Sequence, residues 1–158
     1  MSEVVNDAKA EYNRAKDRLT KCLETTPDDK AGWSPAPTAR TPIEIVAHAA
    51  MGTRGIHGMM KGDPFPFNDM AEIDAVSRAE EKKYSRREQA LALLQETSDS
   101  YLSWLDTLTP EQVSSEADFG FAKFPMAAAI TFPADHLRSH AAQIEYIQTI
   151  YGDRDWHM

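Results

Sequence analysis

Apolar residues along this chain recur at intervals of three and four instead of alternating, and the runs that carry the pattern are long. From Ser2 to Thr25, Val5, Ala8, Tyr12, Ala15 and Leu19 share one face at about 100° per residue. This predicts a first helix, ended by Pro27, Gly32, Pro35 and Pro37 in "TPDDKAGWSPAPTAR". A second helix is announced by its own cap: Thr41 at N-cap, Pro42 in the first turn, and Glu44 placed to complete a capping box. It is expected to run to Lys61 and stop at Gly62. "GDPFPFND" reads as a loop and "MAEIDAVSRAEEKKY" as a short connecting helix.

Ser85 and Glu88 suggest another capping box, opening a third long helix whose apolar side is Leu91, Leu94, Tyr101, Leu102 and Leu105. Thr109, Pro110 and Gln112 predict a capped single turn. A last helix is expected from Pro125 to Tyr151, stopped by Gly152 and kinked at Pro133, just before His136. No run alternates cleanly, and no Asn-Gly or Asp-Gly turn is present. The pattern therefore predicts an all-α four-helix bundle over residues 1–158, with a short extra helix between the second and third long ones.

Composition narrows the function. The 158 residues are 42% hydrophobic and 27% charged, with a formal net charge of -8. An acidic chain lacks the basic face that neutralises nucleic-acid phosphates or anionic lipid. No window approaches the ~18–20 apolar residues of a membrane span, and the acidic N-terminus does not read as a signal peptide. Cys22 is the only cysteine, so neither an intrachain disulfide nor a CxxC site can form. A cytoplasmic protein acting on a small molecule is the expectation.

Chemistry concentrates in "DHLRSHAAQIEYIQTIYGD". His136 and His140 lie four residues apart, ~40° around the helix, on a stripe shared with Gln143 and Ile147. Arg138, Ala142, Glu145 and Thr149 occupy the other side. Two imidazoles at this spacing can ligate one metal ion, although the glutamate of an HExxH protease motif is absent. A lone inward histidine is more often a hydrogen-bonded core residue, but a close pair without metal needs partners for every ring nitrogen. His48 is the best third ligand, on a face with Ile45, Gly52, Gly55 and Met59. His57 lies ~180° from it and is expected to face outward, and His157 in the tail is expected to be solvated.

The order of these pieces resembles the DinB-like superfamily, which includes YfiT-type hydrolases and thiol-dependent S-transferases. "W33SP", "TPIEIVAHAA" and "HLRSHAAQIEYIQTIYGD" carry the resemblance, which spans nearly the whole chain. It implies an up-down-down-up bundle with one metal-binding histidine on the second helix and two on the last, here His48, His136 and His140. Many relatives have Arg-Gly where this chain has Ala141 and Ala142, which removes any role for that arginine; Gln143 is retained. The resemblance and the broad apolar helix faces suggest a homodimer.

Three histidines leave a coordination position open, the catalytic pattern for zinc. Zinc or nickel is favoured, with iron, cobalt or manganese as further candidates. A low-molecular-weight thiol is a candidate cosubstrate. Glu44 is a candidate proton acceptor, set against its capping role, and Gln143 a candidate for orienting substrate. Trp33, Phe65, Phe67, Phe119, Phe121 and Phe124 sit in loops, as satellite cores or pocket walls. Two readings follow: a metal-dependent hydrolase or thiol transferase, and a non-catalytic, metal-stabilised bundle serving as a binding or dimerisation module.

Overall fold

The computed structural model describes residues 3–67 and 69–157, so Ser2 and one residue of the "GDPFPFND" loop lie outside it. Helix α1 (Glu3–Thr25) buries the stripe marked by sequence, extended by Cys22 and Leu23. A single turn, α2 (Asp28–Ala31), follows. Helix α3 (Pro42–Met60) starts as its cap dictates. The Glu44 N–H donates to Thr41 Oγ1 at 3.2 Å, and the Thr41 N–H donates to Glu44 Oε2 at 2.8 Å. The connecting helix is α4 (Met70–Glu81), and the third long helix is α5 (Arg87–Leu105). A capped turn, α6 (Pro110–Val113), leads into two short strands, β1 (Glu116–Asp118) and β2 (Lys123–Pro125). The chain closes with α7 (Met126–Ala129) and α8 (Phe132–Ile150).

Cross-helix bonds fix the directions of the four long helices. Arg138 on α8 pairs with Glu11 on α1, and Glu145 with Arg18, so α1 and α8 run parallel. Lys9 meets Asp106 and Lys16 meets Gln95, so α5 runs against α1. Arg54 meets Glu96, and His57 packs on Tyr101 and Trp104, so α3 runs with α5. The order is up-down-down-up. Tyr12, Leu19, Leu23, Leu94, Tyr101, Leu105, Leu137 and Ile144 form the fully buried centre. Where polar atoms enter it they are paired: Tyr12 Oη lies 2.9 Å from Ser98 Oγ, and Tyr101 Oη donates to the Ile130 carbonyl.

Five local expectations are corrected. Pro133 does not kink a long helix: the chain breaks at Ile130–Thr131, and Pro133 sits in the first turn of α8, where its missing N–H costs nothing. The third long helix is capped by Gln89, whose Oε1 accepts the N–H groups of Ser85 and Arg86, each at 3.1 Å, in place of the Ser85–Glu88 box. A two-stranded hairpin is present, with Ala117 opposite Phe124. Its three-residue strands are too short to show alternation, and its turn uses Gly120 at φ +82° under an Asp118 side-chain bond.

His57 is the fourth correction. It is 7% exposed, because α3 is covered by α8 on one side and α5 on the other. The 180° arithmetic holds, but both faces of this helix are inward. At the chain's end, His157 is half-buried and bonds Asp153 at 2.8 Å, so it folds back and is not simply solvated.

The placement of Pro133 is testable by denaturant unfolding. Pro133→Ala is expected to change stability by less than about 1 kcal/mol, since the residue begins a helix instead of interrupting one. Leu137→Ala, one turn on and fully buried, is expected to cost about 2–5 kcal/mol. A gain of about 2–3 kcal/mol for Pro133→Ala would instead put Pro133 inside a continuous helix.

Candidate metal centre

His48 projects from α3, and His136 and His140 from the facing side of α8. One ring nitrogen from each falls within 4.8 Å of the others. Ring centroids are 4.4 Å apart for His136 and His140, 4.7 Å for His48 and His140, and 5.4 Å for His48 and His136. His140 is 8% exposed, while the His48 side chain retains 21%. His136 is also only partly buried, so of the three rings His140 alone is enclosed.

Glycine sets the approach of the two helices. A Cβ on Gly52 would stand 2.1 Å from His136 Cε1 and 2.6 Å from its Nδ1, so the ring occupies the space that a side chain would take. Gly55, on the same predicted face, has nothing within 4 Å and serves no such approach.

The outer nitrogens are held by fixed acceptors. His48 Nδ1 lies 2.7 Å from Glu81 Oε1, and His140 Nδ1 lies 2.8 Å from Gln143 Oε1. A carboxylate and an amide oxygen only accept, so both Nδ1 atoms carry the proton and both Nε2 atoms present lone pairs. His140 Nε2 and His136 Nε2 are 3.0 Å apart. His136 Nδ1 is buried without a partner of normal hydrogen-bond geometry.

These features fit a divalent cation. Nitrogens each ~2.0–2.1 Å from one zinc-sized ion sit roughly 3 Å apart, and neutral imidazole is its normal donor. Neutrality is enforced by the site. Burial, then the neighbouring His140 and His48, push His136 down to about 3. Burial, opposed by Gln143 and reinforced by His48, pushes His140 down to about 4. Among the described residues the cluster offers three ligand atoms and no fourth.

Glu81 is the residue that sequence reading missed. It is 1% exposed, and besides His48 it takes Arg40 Nε at 2.6 Å and Arg40 Nη2 at 3.0 Å. Burial opposes its charge, but the bonds from His48 and Arg40 outweigh that and hold its carboxyl below the ordinary range. Arg40 Nη2 reaches Asp74 at 3.2 Å, and Asp74 takes Arg78 Nε at 2.9 Å. In sequence, Glu81 is one of several acids in a charged run, and nothing there separates it from a solvated face.

Glu44 retains its capping bond and lines a cleft of about 550 Å³ between the 34–41 loop and α4, together with Glu81, Arg78 and Lys82. A second cleft, of about 640 Å³, lies between that loop and α8, lined by Arg40, Ile45, Gln143, Tyr146, Ile147 and Ile150. The three histidines line neither, and the clefts reach them through Glu81 and Gln143. Tyr146 is 70% exposed at the second cleft. The aromatic loop residues line neither cleft: Phe119, Phe124 and Phe132 stack among themselves, as do Phe65 and Phe121. Cys22 is buried, and burial followed by Glu145 pushes its thiol up to about 12, so it is no nucleophile.

Two predictions follow from the geometry. Folding depresses His136 and His140 below their unfolded value of ~6.5, so the unfolded chain binds more protons between about pH 6.5 and 4. Stability of the metal-free protein is therefore expected to fall as pH drops through that window. Chemical denaturation at several pH values is expected to show a shallower fall for His136→Ala/His140→Ala. Gly52→Ala should expel the His136 ring and weaken metal binding by at least about tenfold in a chelator competition. Its thermal midpoint should change little, because alanine favours the helix by about 1 kcal/mol.

The DinB superfamily profile matches residues 11–144. No curated protein sequence matches the chain. Among solved structures, DfsB, described as a sibling lethal factor precursor, is 18% identical. It superposes with a TM-score of 0.77, over 97% of this chain and 99% of its own. YfiT from Bacillus subtilis, described as a probable metal-dependent hydrolase with an unusual four-helix bundle topology, is 18% identical. Its TM-score is 0.75, over 96% of this chain and 90% of that one. A mycothiol-dependent maleylpyruvate isomerase is 14% identical with a TM-score of 0.69, over 91% of this chain and 63% of its own. At these identities the likeness is one of fold, and the matched profile gives the family: the chain belongs to the DinB superfamily.

Proposed function

We propose that this protein is a metal-dependent enzyme acting on a small molecule, with His48, His136 and His140 as the metal ligands. The observation that carries the reading is the convergence of three imidazole nitrogens with no fourth protein ligand among the described residues. A divalent ion held there, zinc or nickel by preference, supplies Lewis acidity and lowers the pKa of a water or thiol placed on it. Hydrolysis and thiol-dependent transfer are the two reaction types this chemistry serves. The fold is shared with a probable metal-dependent hydrolase and a mycothiol-dependent isomerase.

The chain's own groups then divide the labour. Glu81 and Gln143 keep the protons of His48 and His140 on Nδ1, so these two rings offer Nε2 to the ion, and His136 supplies the third nitrogen. Gln143 fixes His140 through Oε1 and turns its amide nitrogen to orient substrate in the second cleft. Glu44 commits Oε2 to the Thr41 N–H, so Oε1 is the atom that takes a proton on the first cleft. Ile45, Ile147 and Ile150 suit an apolar portion of the substrate beside the guanidinium of Arg40. Open coordination favours catalysis over a purely structural metal, which takes a closed set of four ligands.

Metal content tests this first. Untagged protein purified without a metal column is expected to carry about one equivalent of a single transition metal by mass spectrometry. His136→Ala/His140→Ala is expected to carry none. Wild type that stays empty after incubation with zinc, nickel, cobalt, manganese and iron salts would overturn the reading. For the loaded protein, turnover of ester and amide substrates with and without an added thiol separates hydrolysis from transfer.

A further inference from the structure

Helix α4 poses a packing problem. Among its described side chains, the apolar ones are peripheral: Ile73 is only half-buried, Val76 is 43% exposed, and neither joins the hydrophobic core. A helix is normally held by an apolar stripe. Here the one described side chain that is fully buried is Glu81, at the last position of the helix. Burying a carboxylate costs several kcal/mol unless charged and hydrogen-bonding partners meet it. The partners are present: His48 Nδ1 at 2.7 Å and two guanidinium nitrogens of Arg40 at 2.6 and 3.0 Å. Arg40 extends the contact to Asp74, nearly two turns earlier on α4. The helix is therefore seated by a polar clamp, and the clamp ends on one of the three imidazoles.

We propose that Glu81 is the positioning carboxylate of the metal centre, and that docking of α4 through Glu81 and metal binding by His48 reinforce each other. The inference rests on the metal reading of the three histidines. Glu81 acts on His48 in two ways. As an acceptor it keeps the proton on Nδ1 and the lone pair on Nε2. As an anion it makes the imidazole a stronger donor to a cation. Coupling runs in both directions by thermodynamic necessity: the factor by which docked α4 raises metal affinity is the factor by which metal tightens the docking of α4. Arg40 keeps Glu81 ionised and in place, so the guanidinium serves the same clamp from the far side of the carboxylate.

The experiment uses the full chain. Zinc affinity is measured by chelator competition for wild type, Glu81→Ala and Glu81→Gln, and Co(II) absorption spectra are recorded for each. Glu81→Ala is expected to bind roughly 10- to 100-fold more weakly, with an altered Co(II) spectrum. Glu81→Gln keeps an acceptor oxygen without the charge and should fall between the two. In parallel, hydrogen exchange of the backbone amides of residues 73–82 is followed with and without zinc. Zinc is expected to slow exchange in wild type by about the factor lost in Glu81→Ala, and to have no such effect in His48→Ala. Unchanged affinity and spectrum in Glu81→Ala, with exchange of α4 indifferent to zinc, would overturn the proposal while leaving the metal site standing. Wild type that takes up no zinc would overturn the metal reading and this proposal with it. If Glu81→Ala fails to fold by circular dichroism, the exchange comparison on wild type decides alone.

Discussion

At Gly52 the last helix comes so close to α3 that the His136 ring fills the space where a side chain would stand. The rest of the centre depends on that approach. With α3 and α8 antiparallel, drawing Gly52 against His136 also brings His48 level with His140, because each pair is four residues from the other along its helix. One missing Cβ thus converts two separate helical positions into a shared point. The arrangement has a cost: Nε2 of His136 and Nε2 of His140 share a hydrogen bond at 3.0 Å, but Nδ1 of His136 is buried without a bond of normal geometry. Burial keeps both rings from relieving this by protonation. The fold holds three neutral imidazoles close together, which is the donor set that a divalent ion takes.

Around that cluster the chain compensates charge in sequence. Glu81 is flanked by His48 and Arg40, Arg40 by Glu81 and Asp74, and Asp74 by Arg40 and Arg78. Exposure rises outward from Glu81 at 1% through Arg40 at 17% to Asp74 at 58% for the side chains, with Arg78 beyond it at 38%. Buried members are worth more to geometry than the exposed ones, where solvent and salt reduce each pair to about 1 kcal/mol or less. The network therefore orients the imidazole far more than it stabilises the fold, whose stability lies with the apolar centre around Tyr12, Leu94 and Leu137.

Much of this was legible in the sequence because it rests on periodicity and caps. Thr41–Pro42–Glu44 fixed the start of α3, and with it the phase of His48 and Gly52 on that helix. The i, i+4 pair declared the α8 face directly. What failed were features that depend on neighbours. His57 was assigned outward by correct arithmetic on one helix, but α5 lies on that side and buries it. Pro133 looked internal because nothing in "MAAAITF" marks the break at Thr131, where the chain turns from α7 into α8. Glu81 was invisible because a carboxylate in a charged run has no signature of burial; only a partner 33 positions away gives it one.

Topology explains why that partner arrives from α4. Parallel α3 and α5 cannot be joined by a tight turn, since the chain must travel back along a helix of 19 residues, roughly 28 Å long. Residues 61–86 make this return, with α4 as their regular part. Any return from the end of α3 at Met60 to the start of α5 at Arg87 must finish beside the N-terminal turns of α3. His48 stands there, fewer than two turns from the Thr41 cap, and Arg40 immediately precedes that cap. A carboxylate at the close of the crossover helix therefore meets His48 and the loop arginine together. An up-down-up-down bundle of the same helices would have a short turn at that position and no segment from which to supply the acid. The unusual order of the bundle is thus tied to the chemistry of its centre: the long crossover that the order demands is the element that delivers Glu81 to His48.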